Sequence, residues 1–443
     1  MKTVGIIAEF NPFHNGHRYL IEQAKKKTGA DCCVVIMSGD FVQRGAPAVC
    51  NKYLRSEMAL KNGADIVFEL PTVFSLGSAE MFADGAVNLL CSIGLIDYLC
   101  FGSECGDAEA LIKCASRIEE STASGSFKED LSSFIKNGLS YPSAFSKALS
   151  NNLGAMQSIL LSPNNLLGIE YIRSLIRIKN AHKKDVYQNE FQDTDPSSEF
   201  HLPEVISIKR IGSEHFDKRI SDFSSASSIR NSLEHNDDLS KIFGSVPKIT
   251  YEILSSNYNR LLPVTEEDFS SMLYMRLNTV SDEDLFAISD INKDLSHKLL
   301  SYKGKPIFIP ELIMNLKSKC FTYTAISRAL FRLILSPLYI NALEKLKSSV
   351  IFRSQCKQNS DIDSLIKDKP YLRVLGFRKD KSEFLRLLRY SENINVITKP
   401  VDGPLTNPCY ALDIYASNLY EQVVYNKFKT GFTEELKTGP VII

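Results

Sequence analysis

The chain has 443 residues, of which 44% are hydrophobic and 23% are charged, a composition typical of a folded protein long enough for two or three domains. Its 52 Lys and Arg balance its 52 Asp and Glu, which excludes a strongly basic nucleic-acid-binding protein and leaves only local basic patches to bind phosphates. Because the sequence has neither a long apolar run nor the features of a signal peptide at its start, we expect no membrane span and a cytoplasmic protein.

The ten cysteines are scattered along the chain, and none of them forms a CxxC pair. In a long chain this pattern favours free thiols in a reducing compartment over a disulfide framework. No pair has the spacing of zinc ligands, so we expect no metal site built by the protein itself.

The first two hundred residues alternate short apolar runs, which predict strands, with segments of helical periodicity. The predicted strands are Val4–Phe10, Asp31–Met37, Asp65–Leu70, Tyr98–Phe101 and Val205–Arg210. The predicted helices are Gly16–Lys27, Tyr53–Asn62, Ser78–Leu90, Asn164–Ile178 and one that starts with Ser227–Leu233, with further helix in 121–160 and a polar loop at Tyr187–Ser198. This alternation predicts an α/β domain with a parallel sheet.

The pattern changes after about residue 240, where amphipathic helical segments replace the strands. The predicted helices there are Glu267–Leu277, Asp282–Ile291, Ala325–Leu335 and Leu338–Lys347. One strand is predicted at Tyr371–Leu375, and the final 45 residues give no clear pattern. We therefore divide the chain into an α/β domain, 1–240, and a mainly α-helical domain, 241–443.

The first strand leads into the segment Glu9–His17, which contains the motif His-Asn-Gly-His and precedes a helix. A helix start presents unpaired N–H groups to an anion, and Gly16 has no Cβ to keep a phosphate away. His14 and His17 can both donate hydrogen bonds to phosphate oxygens, where charge develops in phosphoryl transfer. The alternative is that both are ordinary surface or core histidines.

Other polar residues follow the predicted strands, at the sheet edge where α/β proteins bind ligands. Asp40 follows the second strand and is a candidate for proton transfer, although a turn Asp is as good an interpretation. Gly102 follows the fourth strand and Arg210 ends the last one. Asn165 opens a helix, where it could also be a simple cap.

A second helix start, Ser225–Arg230, combines hydroxyl groups with a guanidinium. Ser228 and Arg230 suit the β- and γ-phosphates of a nucleotide. Helix capping alone would also explain the serines.

The His-Asn-Gly-His motif together with Ser225–Arg230 resembles the nucleotidyltransferase superfamily, and longer strings resemble the bacterial tRNA(Met) cytidine acetate ligase family. These strings are Ile7–His17, Met37–Gly45, Pro163–Tyr171 and Tyr323–Arg328. Matching strings run from residue 6 to about 415, nearly the whole chain.

The resemblance implies a Rossmann-like, HUP-type sheet and a reaction in two steps. Acetate and ATP would give acetyl-adenylate and pyrophosphate, and the acetyl group would pass to N4 of the wobble cytidine of elongator tRNA(Met). Mg²⁺ is expected with ATP, and no protein partner is implied. The implied ATP-binding residues are Ile7, Ala8, Glu9, Phe10, Asn11, Pro12, Phe13, His14, Asn15, Gly16, His17, Arg18, Tyr19, Leu20, Gly102, Asn165 and Arg210.

Two features depart from the family pattern, Glu214 and a long polar insert at 189–200, and both bear on the geometry near Arg210. Two other interpretations stay open. One is a metabolite nucleotidyltransferase with a small acceptor, against which the large helical part argues. The other is a non-catalytic tRNA-binding protein, against which the intact His14, His17 and Arg230 argue.

The predicted tRNA-binding stretch is Lys367–Arg389, which holds eight basic and three acidic residues. Arg378, Lys379, Lys381 and Arg386 are the candidate phosphate contacts, and the interleaved Tyr371, Phe377 and Phe384 could stack on unpaired bases. The alternative is a solvated helix face with core aromatics. His182–Lys184 is a weaker candidate.

Overall fold

A computed structural model describes most of the chain in ten ranges. These ranges are 1–139, 141–153, 158–160, 162–188, 201–211, 225–235, 239–288, 291–348, 370–389 and 394–443. Glu214, the insert at 189–200 and the basic residues Lys367 and Lys369 lie outside the described residues.

Within the described residues the strands form one eight-stranded sheet and a small hairpin. The strands are β1 (Thr3–Ala8), β2 (Cys32–Ser38), β3 (Phe41–Val42), β4 (Ala46–Pro47), β5 (Ile66–Leu70), β6 (Tyr98–Ser103), β7 (Glu204–Lys209), β8 (Tyr371–Phe377), β9 (Asn395–Ile397) and β10 (Val441–Ile442). The sheet order is β10-β8-β5-β2-β1-β6-β7, with β9 also paired to β8, and β3 and β4 form the hairpin.

Helices cover both faces of the sheet and make up most of the middle of the chain. The N-terminal ones are α1 (Asn15–Thr28), α2 (Lys52–Lys61), α3 (Thr72–Ser75), α4 (Ala79–Ile93), α5 (Ala108–Thr122), α6 (Gly125–Lys136), α7 (Tyr141–Leu153), α8 (Pro163–Gln188) and α9 (Ala226–Glu234). The later ones are α10 (Lys248–Asn257), α11 (Ser270–Thr279), α12 (Asp282–Ala287), α13 (Lys293–Leu300), α14 (Ile309–Leu316), α15 (Tyr323–Leu335), α16 (Leu338–Ser348), α17 (Ser382–Arg389) and α18 (Pro408–Phe428). Short 3-10 helices lie at Leu239–Ile242, Glu266–Phe269, Lys379–Lys381, Pro400–Asp402 and Glu435–Lys437.

The central strands are apolar throughout because both of their faces are covered, as in parallel sheets generally. In β1, the neighbouring residues Ile6 and Ile7 point into two separate hydrophobic cores. The core around Ile6 includes α1, α2 and α10 residues, and the core around Ile7 includes residues of α4, α8, α15 and α18. The helical part of the chain therefore packs directly onto the sheet.

The five strands β5, β2, β1, β6 and β7 are parallel, as the sequence predicts. The chain moves from β1 outward to β2 and β5, then returns to place β6 on the other side of β1. The strand order thus reverses between β1 and β6. A crevice opens at such a point beyond the carboxyl ends of the strands, and ligands of α/β proteins bind there.

The C-terminal part of the chain completes this sheet. The predicted strand at Tyr371–Leu375 is β8, which pairs antiparallel with β5. The strands β9 and β10 both pair with β8, and β10 lies in the final 45 residues, which show no clear pattern in the sequence. The boundary at residue 240 remains a prediction, but the sheet draws on residues from both sides of it.

A buried ion-pair network ties these C-terminal residues to the N-terminal ones. Lys52 is 1% exposed, and its Nζ lies 2.8 and 2.9 Å from the two carboxylate oxygens of Glu69 and 2.9 Å from Oε1 of Glu435. It also donates to Oγ of Ser417 at 2.8 Å. Burial opposes the charge of Lys52, but Glu435 and Glu69 outweigh it and raise the pKa of Lys52 well above its usual value.

Among the described residues, no single helix has the length and apolarity to cross a membrane. The pair Tyr323–Leu335 and Leu338–Lys347 passes that test only when taken together, across a bend of 107°.

Candidate active site

The His-Asn-Gly-His segment forms the turn between β1 and α1 at the carboxyl edge of the sheet. Phe10 has a φ of 46°, which lets the chain turn sharply after the strand but costs about 1 kcal/mol or more for a residue with a Cβ. The Phe10 ring packs between Phe13 and His17, with centroids 4.8 Å from each. Asn11 also holds the turn in place, because its Oδ1 accepts the Val49 N–H at 2.8 Å.

The rings of His14 and His17 each accept a backbone N–H of the turn, which defines the free nitrogen of each ring. Nδ1 of His14 accepts the Gly16 N–H at 3.1 Å, and Nδ1 of His17 accepts the His14 N–H at 3.2 Å. An acceptor nitrogen carries no proton, so each neutral ring carries its hydrogen on Nε2. Both residues line the cleft, where these two Nε2–H groups are available as donors.

Burial and nearby charge keep both rings neutral. Burial is the largest cause that lowers the pKa of His14 from 6.5 to about 4, and the charges of Arg210 and Arg230 contribute to the same shift. Burial, His14 and Arg210 lower the pKa of His17 well below its usual value. At neutral pH the pair therefore offers uncharged donors, and an anionic ligand would favour their protonation.

The position of the His14 ring requires a glycine at residue 16. A Cβ at Gly16 would lie 2.9 Å from Cε1 and 3.1 Å from Nδ1 of His14, so a larger residue would push the imidazole out of its capping position.

Two predicted arginines approach the same space. The Arg230 guanidinium donates to the Asn11 carbonyl at 2.8 Å and to Oγ of Ser227 at 3.1 Å. Arg210 donates to Oδ1 of Asn164 at 3.3 Å and lies beside Gly102, where a Cβ would come within 3.3 Å of the Arg210 side chain. Together these side chains can neutralise several phosphate charges.

The ATP contact that the resemblance implies for Asn165 stays a prediction, and the structure gives this side chain hydrogen bonds to the loop after β6. Its Oδ1 accepts the N–H groups of Glu104 and Cys105 at 2.9 and 3.2 Å, and its Nδ2 donates to the Ile159 carbonyl. It is buried and does not line the cleft. Asn165 therefore orders the loop after β6, and its neighbour Asn164 faces the cleft.

The surroundings of Asp40 bear on its two predicted roles, proton transfer and a structural turn residue. Asp40 is 4% exposed and lies outside the cleft. Its Oδ1 accepts the Lys52 N–H at 2.8 Å, and its carbonyl accepts the Ala48 N–H. These contacts argue against proton transfer and support the alternative of a structural turn residue.

Ser228 is likewise outside the cleft, and it donates its N–H to the capping Oγ of Ser225.

A cleft of about 2030 Å³ collects most of the predicted ATP-binding residues. Those that line it are Ile7, Ala8, Glu9, Phe10, Asn11, His14, Gly16, His17, Tyr19, Leu20, Gly102, Arg210 and Arg230. Those that do not are Pro12, Phe13, Asn15, Arg18, Asn165 and Ser228. Pro12 and Phe13 shape the turn behind the histidines, while Arg18 pairs with Glu22 on the exposed face of α1. The described residues bring no group of three or more His, Cys, Asp or Glu together to hold a metal.

Sequence reasoning missed Arg55, which holds the two turns of the site together. This fully buried side chain donates to the carbonyls of Glu9, Ser38, Gly39 and Cys50. Its position in the middle of an ordinary helix gave no signal, because the four acceptors are backbone groups.

The site also contains Arg44 and Arg328, to which the sequence assigned no role. Arg44 donates to Oγ of Ser227 at 2.9 Å, and both arginines line the cleft. Both arginines lie within the long strings that resemble the ligase family, and that resemblance could have identified them as site residues.

The predicted tRNA-binding stretch lies at the opposite end of the sheet. Arg378 follows β8, beside Asp65 at the amino end of β5, and its guanidinium is 3.7 Å from that carboxylate and 3.2 Å from Asp380. Lys381 donates to the Asp31 carbonyl, and Arg386 pairs with Glu383. Tyr371 and Phe384 are buried, so the prediction that they stack on bases is wrong for these two residues.

Comparison with known proteins agrees with this geometry. The model of the HIGH Nucleotidyl Transferase family matches residues 1–188 and 201–435. The tRNA(Met) cytidine acetate ligase of Clostridium novyi is 35% identical over 100% of both chains, and that of Caldicellulosiruptor bescii is 32% identical over 100% of this chain and 99% of its own.

Solved structures of one relative share the whole fold. Thermotoga maritima TmcAL bound with alpha-thio ATP superposes with a TM-score of 0.80 at 25% identity, and its apo form with 0.82 at 26% identity, each over 100% of both chains. The chain therefore belongs to the tRNA(Met) cytidine acetate ligase family of HIGH nucleotidyl transferases.

Proposed function

We propose that the protein activates acetate with ATP and transfers the acetyl group to N4 of the wobble cytidine of elongator tRNA(Met). The observation that carries this proposal is that relatives named for this activity align with the whole chain, including the histidine turn at the sheet's switch point. The large helical part is included in that alignment, which argues against a small metabolite acceptor.

In the first step an acetate oxygen attacks the α-phosphorus of ATP, and the bond to the bridging oxygen of the β-phosphate breaks. Pyrophosphate leaves, and acetyl-adenylate remains. The Nε2–H groups of His14 and His17 would donate to phosphate oxygens as negative charge grows on them. Arg210 and Arg230 would hold the departing phosphates.

In the second step the cytidine N4 attacks the acetyl carbon. The carbon–oxygen bond to the adenylate breaks, AMP leaves, and N4 loses a proton. The histidine donors can stabilise the AMP phosphate as it departs, since the same oxygens recover charge. We assign no general base for the N4 proton.

We expect Mg²⁺ to arrive with ATP and to be held mainly by phosphate oxygens and water, as is usual for this ion. Glu9 is the carboxylate nearest the turn in sequence that also lines the cleft. A tRNA substrate and free thiols, which the described cysteines have, fit a cytoplasmic protein.

The test uses the purified full chain with ATP, elongator tRNA(Met) and either acetate or no acid. We expect pyrophosphate release that depends on acetate, and N4-acetylcytidine at the wobble base by mass spectrometry of the digested tRNA. Transfer of an adenylyl group to a small acceptor, with the tRNA left unmodified, would support a metabolite nucleotidyltransferase. Binding of tRNA without either reaction would support a non-catalytic protein.

A further inference from the structure

The cleft is larger than a nucleotide needs. Its volume of about 2030 Å³ exceeds the range of roughly 300–1,000 Å³ that holds most small ligands. The histidine turn and the end of β6 line one part of it. Another part is lined by residues of α6, α13 and α15 and by the loop before α15.

We define the helical wall as the five residues of that second part that can bind a nucleic acid. They are Lys136, the last residue of α6, His297 and Lys298 on α13, Phe321 just before α15, and Arg328 on α15. The α6 side and the α15 side are in contact, because the Cys320 thiol donates to the Gly138 carbonyl at 3.2 Å.

A continuous set of contacts connects the helical wall to the histidine turn. Arg328 packs so closely on Gly45 that a Cβ there would lie 2.8 Å from Cγ of Arg328. The adjacent Arg44 donates to Ser227, which also accepts from Arg230, and Arg230 donates to the Asn11 carbonyl. A ligand on the wall would therefore lie next to a nucleotide at the turn.

The lining of the cleft has an excess of basic over acidic residues. Eight Lys and Arg line it against four Asp and Glu, although the whole chain has no net charge. Two of the four acids, Glu80 and Glu170, already pair with Arg173. The remaining excess is suited to a polyanion that extends beyond ATP.

The proposed reaction restricts where such a polyanion can bind. N4 of the cytidine must reach the acetyl carbon at the histidine turn, so the base has to leave its stack and enter the cleft. The phosphates next to that base must then lie at the cleft's edge. The basic stretch around Arg378 is at the other end of the sheet and does not meet this condition.

We propose that the helical wall is the docking surface for the anticodon loop of the tRNA. Lys136, Lys298 and Arg328 contact phosphates beside the wobble base, and Phe321 provides an aromatic face for an unstacked base. This inference rests on the proposed function, because it assumes an RNA acceptor.

The test reverses two exposed charges of the wall and two matched charges outside it. The Lys136→Glu/Lys298→Glu variant changes one lysine on each of α6 and α13. The control, Lys128→Glu/Lys293→Glu, changes one exposed lysine on each of the same two helices, and neither of these lines the cleft. Net charge and helix composition are therefore equal in the two proteins.

Binding of elongator tRNA(Met) to each full-length protein is measured by fluorescence anisotropy across a salt series. For the wall variant we expect roughly 10-fold weaker binding at low salt and a slope of log affinity against log salt that is flatter by about 0.7–1 for each lost contact. The control should keep the wild-type slope. The ratio of N4-acetylcytidine formed to tRNA-independent pyrophosphate released should fall in the wall variant alone.

A second variant keeps the fold and removes the aromatic face. Phe321→Leu preserves an apolar side chain, so we expect tRNA affinity to fall by about 5-fold or more from lost stacking. Equal affinities and equal slopes for wild type, wall variant and control would contradict the proposal that the tRNA docks on the helical wall. A wild-type protein that activates acetate but never modifies the tRNA would instead overturn the proposed function, and this inference with it.

Discussion

The imidazole rings of His14 and His17 lie face to face, with centroids 3.6 Å apart and planes inclined by 18°. The Nδ1 of each ring accepts a backbone N–H of the turn, so each ring of the stack keeps its Nε2–H as a donor. The motif thus works as a unit, in which the first histidine caps α1 and the second supports the first.

Replacing His17 by Ala should lower acetate-dependent pyrophosphate formation by roughly 10²- to 10³-fold, the usual loss for one transition-state donor. The measurement is the initial rate of pyrophosphate release at saturating ATP and acetate. His235→Ala is the control, because His235 is exposed and outside the cleft. A His17→Ala enzyme with a near wild-type rate would show that the phosphate role of His17 is wrong.

The lowered pKa of His14 predicts a loss of stability in acid. The folded value is about 4 and the ordinary value is 6.5, so between these values the unfolded chain binds more protons. The contribution of His14 to the free energy of unfolding is therefore fully present above pH 6.5. It declines as the pH falls toward 4, by up to roughly 1.4 kcal/mol per pH unit for such a group.

The comparison that isolates this effect is His14→Asn, because Asn can still cap a helix but does not titrate in this range. Urea unfolding at several pH values should show a shallower decline for the variant than for the wild type. Parallel declines would mean that His14 is not held neutral in the folded protein.

Asp40→Asn should keep most of the activity, since an amide oxygen can still accept the Lys52 N–H. Asp40→Ala should instead destabilise the protein by about 1–3 kcal/mol, the cost of a buried donor left unpaired. Activity, its pH profile and unfolding free energy are measured on both variants. A loss of 100-fold or more in a folded Asp40→Asn enzyme would restore the proton-transfer role first predicted for Asp40.

Reversing the charges of Arg378, Lys379 and Lys381 distinguishes the two candidate tRNA surfaces. Arg378 faces Asp65 and Asp380, and Lys381 bonds to the Asp31 carbonyl, so we expect lower thermal stability with nearly unchanged tRNA affinity. A salt slope flattened by about one unit per residue would assign tRNA docking to this stretch.

Local features of the sequence were sufficient to predict much of the site. The runs that became β1 and β2 are apolar throughout because both faces are buried, and the histidine turn is contiguous with its strand and helix. The two strands and the turn depend on residues that are close together in the chain, so they can be predicted from the sequence.

Features that depend on distant pairing could not be predicted in the same way. Asp40 follows a strand as a catalytic residue would, but the turn directs its carboxylate to α2. Arg55 acts only through carbonyls brought near by the fold. The two-residue strand β10 has no pattern of its own and exists because β8 lies beside it. Arg328, from the helical part, likewise lines the cleft only because the fold brings α15 there.

The antiparallel pairing of β8 with β5 has a consequence for synthesis on the ribosome. About 300 residues separate the two strands, so translation at about 5–20 residues per second leaves β5 as an unpaired edge for roughly 15–60 s. Exposed apolar edges pair readily with other chains. A nascent or truncated chain that ends before β8 should therefore aggregate or require a chaperone, rather than persist as a shortened enzyme that contains every residue of the histidine turn.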